Sequence, residues 1–218
     1  MDSDDICLPE RLEKQVAYLD TYPEVSVCAT NIHTIDDSGK IIRKNRYDRK
    51  RDGALMFVSN NIAHPTVMFR RSLLEIRKPL YNEEYIYSQD YELWQHLLLK
   101  GHAIHTLEEV LLLYRKTENQ ISSAKKPLQT ELFEKAQKSF ISGWLSNNGL
   151  IEPEDSEDIQ KMLKKASDAY RSKASKELTY IIYVLYLRLG RHDLKHRFKY
   201  LWDRNLIAFK VRFIFTLR

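Results

Sequence analysis

Cysteine is nearly absent: Cys7 and Cys28 are the only two, at no spacing that suits a metal site. That excludes a cysteine-ligated metal centre, and both read as small core residues of a chain in a reducing cytosol. No apolar run approaches the length needed to span a bilayer. No cationic, apolar, small-residue leader stands at the start, so the expected location is cytoplasmic. No recognised nucleic-acid-binding motif accompanies the basic residues, so nucleic acid is not an expected partner.

What is present suits a globular enzyme. The 218 residues suffice for one well-buried domain and a small second one, and 43% hydrophobic with 11% aromatic residues is ordinary for such a chain. The net charge of +5 is unevenly placed. Residues 188–218 hold nine Lys/Arg against Asp193 and Asp203, so this stretch carries +7 and the remainder −2. Within it, residues 194–218 interleave cations with Phe198, Trp202, Phe209, Phe213 and Phe215, a pattern suited to an anionic membrane surface or to a docked terminal helix with a solvated basic face.

Two textures divide the chain. Residues 1–125 mix β runs with short helices, and residues 126–218 read as a helical region ending in the basic tail. Pro9 opens a helix on which Leu12, Val16 and Leu19 recur at helical spacing. Val25 to Thr30 reads as a buried strand, Asp36-Asp37-Ser38-Gly39 as a turn, and Lys40 to Arg43 as a return strand. Residues 45–53 read as a charged loop. Residues 62–70 form a β run interrupted by Pro65. Asp90 to Lys100 is a helix closed by Gly101, and His102 to Thr106 and Val110 to Tyr114 are two short strands. Three amphipathic helices follow: one through Leu128, Phe140 and Trp144 that stops at Asn147-Asn148-Gly149, one from Ile159 to Tyr170, and one from Leu178 that ends at Gly190. A fourth is expected from about Asp193 on. A small bundle is the expected arrangement.

The chemistry begins at Asp2-Ser3-Asp4-Asp5. Carboxylates one residue apart in an extended or turning segment can both face a hard divalent cation such as Mg2+ or Mn2+. Such a cation neutralises the charge that develops on a departing nucleoside diphosphate. The same residues can equally cap a helix.

Five ordered blocks give these carboxylates company. Asp2-Ser3-Asp4-Asp5-Ile6 with Pro9, Arg11, Leu12 and Gln15 is the first. Val25 to Thr30 with the Asp36-Asp37 hairpin is the second, and His64-Pro65-Thr66-Val67-Met68-Phe69-Arg70-Arg71 the third. Gln89-Asp90-Tyr91-Glu92-Leu93-Trp94 before Gly101 is the fourth. Tyr114-Arg115 with Gln120-Ile121-Ser122 is the fifth. Together they resemble the acceptor-side half of a family 2 glycosyltransferase. The resemblance covers a little over half the chain.

The resemblance implies an α/β class, a partial GT-A mixed sheet with helices (α+β as truncated), followed by a C-terminal helical bundle. It implies an inverting transfer of sugar from a nucleotide sugar, UDP-linked, to a glycan or lipid-linked acceptor in surface polysaccharide synthesis, at the inner face of the membrane. Asp2 and Asp4 would hold the Mn2+ or Mg2+ and the diphosphate, with Asp4 the more direct ligand. Asp90 would be the general base; locally it also reads as a helix N-cap. Arg115 faces the phosphates or pairs with an acid. His64 lines the acceptor pocket or is structural, and Tyr91 and Trp94 form core and pocket wall.

Three departures temper the resemblance. Gln89 stands where the family has an acid before the base. Thr117 stands where it has a histidine near the diphosphate, and a hydroxyl is the poorer ligand. Only Met1 precedes Asp2, so the nucleotide-binding half is missing from the reading, as from a truncated gene or a mistaken start. The alternative is therefore a catalytically inactive remnant or binding module.

Overall fold

The computed structural model describes residues 1–44, 56–116 and 126–192. The charged loop at 45–53, Thr117, the block Gln120-Ile121-Ser122 and the tail at 194–218 lie outside the described residues. The chain forms two compact units, Met1–Phe140 and Ile141–Arg218.

The first unit is built on a mixed five-stranded sheet. Its described elements are β1 (Ile6–Cys7), α1 (Arg11–Thr21), β2 (Val25–Ile35), β3 (Ile41–Lys44), β4 (Met68–Phe69), α2 (Gln89–Leu99) and β5 (Ala103–Arg115). β2 is central and almost wholly buried, as a run of Val, Ile, Ala and Cys favours. It pairs parallel with β5, from Val25 opposite Ala103 to Ile35 opposite Arg115. On its other edge it pairs antiparallel with β4 near its start and with β3 near its end. β1 pairs antiparallel with Leu112 and Leu113 of β5. This is the α/β class expected, with a sheet of partial GT-A form.

Several local expectations change. The strand at Val25 extends to Ile35 because the turn after it begins only at Asp36, whose Oδ1 accepts from the N–H groups of Ser38 and Lys40. Residues 62–70 are not one β run: His64–Thr66 is a 3-10 turn with Pro65 near its start, and only Met68–Phe69 pairs as strand. The two expected strands after Gly101 are one, β5. Glu108 and Glu109 form a bulge in it, since Thr30 pairs with Leu107 and Asn31 with Val110. Asn31 Nδ2 donates to the Glu108 carbonyl at 2.8 Å and occupies that bulge.

Helix α1 also buries a different face. Arg11, Gln15 and Leu19 point inward, whereas Leu12 and Val16 are exposed. Leu19 packs with Val25, Cys28, Leu107 and Leu111 in one cluster, flanked by Tyr18 and Met68. Arg11 and Gln15 tolerate burial because both donate to backbone carbonyls.

Helix α3 (Lys126–Asn147) follows, and the division between the units falls inside it. Its end is the stop expected at Asn147-Asn148-Gly149. Gly149 adopts φ +64°, and Leu150 N–H closes back on the Leu145 carbonyl at 2.9 Å. In the second unit, α4 (Ile159–Ser172) is capped by Asp158, which accepts from the N–H groups of Gln160 and Lys161. α5 (Lys176–His192) runs on through Gly190 rather than ending there. Met162, Leu163 and Ala166 of α4 are buried, as are Leu178, Ile181 and Leu185 of α5.

Candidate active site

Asp90 is the second residue of α2, and it is not the cap. The N-cap position belongs to Ser88, whose hydroxyl donates elsewhere, to the Gln129 carbonyl at 3.2 Å. Relieved of capping, the Asp90 carboxylate accepts at Oδ2 from Asn60 Nδ2 at 2.8 Å. It lines a cavity of about 240 Å³ with Asn60, Tyr87, Tyr91, Gln129 and Phe133. That is just below the roughly 300–1,000 Å³ of whole small-molecule pockets.

The wall around Asp90 is fixed by aromatic and amide contacts. Tyr91 is fully buried, stacks on Phe133 at 4.2 Å and donates its hydroxyl to the Met56 carbonyl. Gln137 Nε2 donates to the Phe57 carbonyl at 2.6 Å, tying the same segment to α3. Tyr87, just before the cap, is held at φ +72°, a left-handed backbone that costs a tyrosine strain. Two residues beyond Asp90, Glu92 receives a two-pronged bond from Arg77, at 2.7 Å to each oxygen.

His64 is exposed, and its Nε2 lies 3.0 Å from the Tyr81 hydroxyl. Its ring centroid is 6.2 Å from that of Trp94. Burial and, after it, the charge of Asp90 push the Tyr81 phenol up from its ordinary value. His64, Tyr81, Trp94 and Asp90 therefore belong to one neighbourhood. Trp94 is fully buried as core, and its Nε1 has no hydrogen-bond partner among the described residues. The turn that presents His64 is fastened from below. Arg11 Nη1 donates to the Pro65 carbonyl at 3.0 Å, and Gln15 Nε2 donates to the Thr66 and Cys28 carbonyls at 2.8 and 2.7 Å.

A second cluster forms where the start of the chain meets the end of β5. Asp2 and Asp4 are exposed, whereas Asp5 is buried. Asp5 Oδ1 accepts the Arg115 N–H at 2.9 Å, and its Oδ2 has no partner among the described residues. Burial pushes the Asp5 carboxyl up; the Arg115 N–H opposes this, and the charges of Asp4 and Asp2 add to it. The Arg115 guanidinium donates to the carbonyls of Asp4, Asp36 and Asp37 at 3.0, 2.7 and 3.0 Å. It thus ties the carboxylate segment to the β2–β3 turn.

Residues 1–77 match the family model described as glycosyl transferase family 2. That segment, about a third of the chain, resembles family 2 glycosyltransferases. The chain is 32% identical to an uncharacterized glycosyltransferase of Methanocaldococcus jannaschii over 131 residues, 58% of this chain and 44% of that protein. It is 33% identical to the amylovoran biosynthesis glycosyltransferase AmsE of Erwinia amylovora over 124 residues, 56% of this chain and 46% of that one. It is 34% identical to the O-antigen biosynthesis glycosyltransferase WbnJ of Escherichia coli over 118 residues, 53% of this chain and 45% of that one. The chain thus spans about half the length of these glycosyltransferase relatives. Asp2, Asp4, Asn60 and His64 lie within the family 2 segment, whereas Asp90, Tyr91, Trp94 and Arg115 lie beyond it.

Asn60, Tyr81 and Gln129 escape a reading of the sequence. Each meets the Asp90 neighbourhood through a contact far along the chain, and none carries a local pattern of its own. Arg11 and Gln15 stand in the first block, where their polarity at helical spacing from Leu19 is the one signal of a bonded inner face.

Proposed function

We propose that the chain acts in the transfer of sugar from a nucleoside-diphosphate sugar, UDP-linked, to a hydroxyl of a glycan or lipid-linked acceptor, in synthesis of a surface polysaccharide at the cytoplasmic face of the membrane. The observation that carries this reading is the Asp90 carboxylate. It is uncommitted to helix capping, lines a cavity and follows a family 2 segment.

Asp90 takes the proton of the acceptor hydroxyl as that oxygen forms a bond to the anomeric carbon. The bond from that carbon to the diphosphate oxygen breaks, and the nucleoside diphosphate leaves. One displacement inverts the configuration. His64 and Tyr91 shape the acceptor side, with Trp94 as the core behind them. The tight turn at Gly101 joins α2 to β5, whose carboxyl end lies at Arg115. Asp4 and Arg115 meet at that end, which is where open α/β sheets bind ligands.

Asp2 and Asp4 suit a hard divalent cation. Both are exposed oxygen donors, and their charges already oppose ionisation of Asp5, a repulsion that a cation would relieve. No group of three or more His, Cys, Asp or Glu side chains that could hold a metal ion exists among the described residues. Two carboxylates completed by substrate phosphates and water are the arrangement Mg2+ favours. Bound there, Mn2+ or Mg2+ supplies positive charge to the departing diphosphate.

A second reading is a binding module without turnover. The Arg115 guanidinium favours it, since its Nε and Nη1 bonds to three main-chain carbonyls serve the fold rather than a phosphate. Among the described residues no helix is long and apolar enough to cross a membrane. Contact with an anionic surface would fall to residues 194–218.

Isothermal titration with UDP and Mn2+, beside an Asp4→Ala control, tests the proposal. The expected result is saturable, metal-dependent binding that Asp4→Ala abolishes, and hydrolysis of a UDP-sugar that Asp90→Asn abolishes. Binding without hydrolysis would favour the module. No binding by folded protein would sink the transferase reading.

A further inference from the structure

Asn60 is the sole side chain seen bonded to the Asp90 carboxylate among the described residues. Its Nδ2 donates to Oδ2 at 2.8 Å. Its other end is also committed: Oδ1 accepts the backbone N–H of Ile62 at 3.3 Å. Ile62 is buried and anchors that N–H. This second bond decides how the amide faces. A flipped amide would set oxygen against the carboxylate and nitrogen against an N–H, losing both contacts. Asn60 thus presents a donor, and only a donor, to Asp90.

The bond is also one-sided. It takes Oδ2 and leaves Oδ1, and the N-cap position of α2 is that of Ser88, so the Asp90 carboxylate is not spent on capping. Asn60 and Asp90 line the same cavity. A side chain with two rotatable bonds would otherwise sample several rotamers at the cavity wall, and a general base must lie within hydrogen-bond reach of the proton it takes.

We propose that Asn60 is the positioning residue of Asp90, pinning one carboxylate oxygen so that the other faces the acceptor hydroxyl. This rests on the general-base reading of Asp90 given above. Asn60 touches no reacting atom; it acts through Asp90 by holding a single side-chain rotamer.

The test reads that rotamer directly in the full chain. Three-bond N–Cγ and C′–Cγ couplings of Asp90 are measured by NMR in the wild type and in Asn60→Leu, which is near in size and cannot donate. The expected result is single-rotamer couplings in the wild type and rotamer-averaged couplings in the variant. Single-rotamer couplings retained by folded Asn60→Leu overturn the proposal. Should that variant not fold, the Asn60 side-chain amide protons are compared in wild type and Asp90→Ala. A loss of their downfield shift supports the proposal, and unchanged shifts overturn it. With UDP-glucose as the donor probe, Asn60→Leu is expected to lower kcat for hydrolysis at least about tenfold with donor KM unchanged. A wild type that neither binds UDP with Mn2+ nor hydrolyses the donor refutes the glycosyltransfer reading alone, and the couplings still decide the role of Asn60.

Discussion

Gln129 holds Tyr87 in place from a different helix. Its Nε2 donates to the Tyr87 carbonyl at 3.0 Å, and its own carbonyl accepts from the neighbouring Ser88 hydroxyl at 3.2 Å. Between these bonds Tyr87 stays at φ +72°. The first turns of α3 thereby stabilise a backbone conformation that the tyrosine alone would avoid, directly before the helix that carries Asp90.

That strain has a measurable sign. Tyr87→Gly and Tyr87→Ala both remove the ring, but only glycine adopts positive φ without steric cost. Tyr87→Gly is therefore expected to be about 1 kcal/mol more stable than Tyr87→Ala in urea unfolding. Equal stabilities would show that the backbone there carries no strain.

Gln15 supports the opposite side of the site. Gln15→Leu keeps the bulk but strips two donors from the Cys28 and Thr66 carbonyls. An unsatisfied buried acceptor costs about 1–3 kcal/mol, so a loss of about 2–4 kcal/mol is expected. Circular-dichroism-monitored unfolding gives the number. A change under about 0.5 kcal/mol would mean that the His64–Thr66 turn is held by other contacts.

Asp5 makes stability depend on pH. Its carboxyl is raised from the ordinary value of 3.8, by burial first. The native state then binds that proton more tightly than the unfolded chain does. The stabilising contribution is complete below the unfolded value and is lost as pH rises through the folded one. Asp5→Asn keeps an acceptor for the Arg115 N–H and cannot ionise. Its stability relative to wild type is expected to improve as pH rises from about 3.8 and to level off above the folded value. Paired urea titrations at several pH values check this, and a flat difference would place the Asp5 carboxyl in water.

Local chemistry was the legible part of this chain. Asp36-Asp37-Ser38-Gly39 reads as a turn because a short carboxylate beside a glycine closes one, and Gly39 does sit at φ +85°. Gly101 and Gly149 end their helices for the same backbone reason. Glu108-Glu109 misled because two acids inside an apolar run look like a break, whereas a bulge carries them on a continuous strand. Leu12 and Val16 misled because their helical spacing with Leu19 marks a face that the fold leaves exposed, and no local pattern shows that carbonyls 13 and 51 residues away from Gln15 will meet it. Asp90 stood out in sequence. Its partners Asn60, 30 residues earlier, and Gln129, met through Ser88, come to it only through folding.

The bulge in β5 also works as a key in a lock. Parallel strands without such a feature can slide by two residues and keep every side chain on its own face. Here a slide would pull the Asn31 amide off the Glu108 carbonyl and drive two surplus residues into the pairing of β2 with β5. The pair is therefore held in one register, with further shifts at Val25/Val27 and Asn31/Ile32. That register carries forward along β5 to Arg115, which sets where the first carboxylates of the chain are moored.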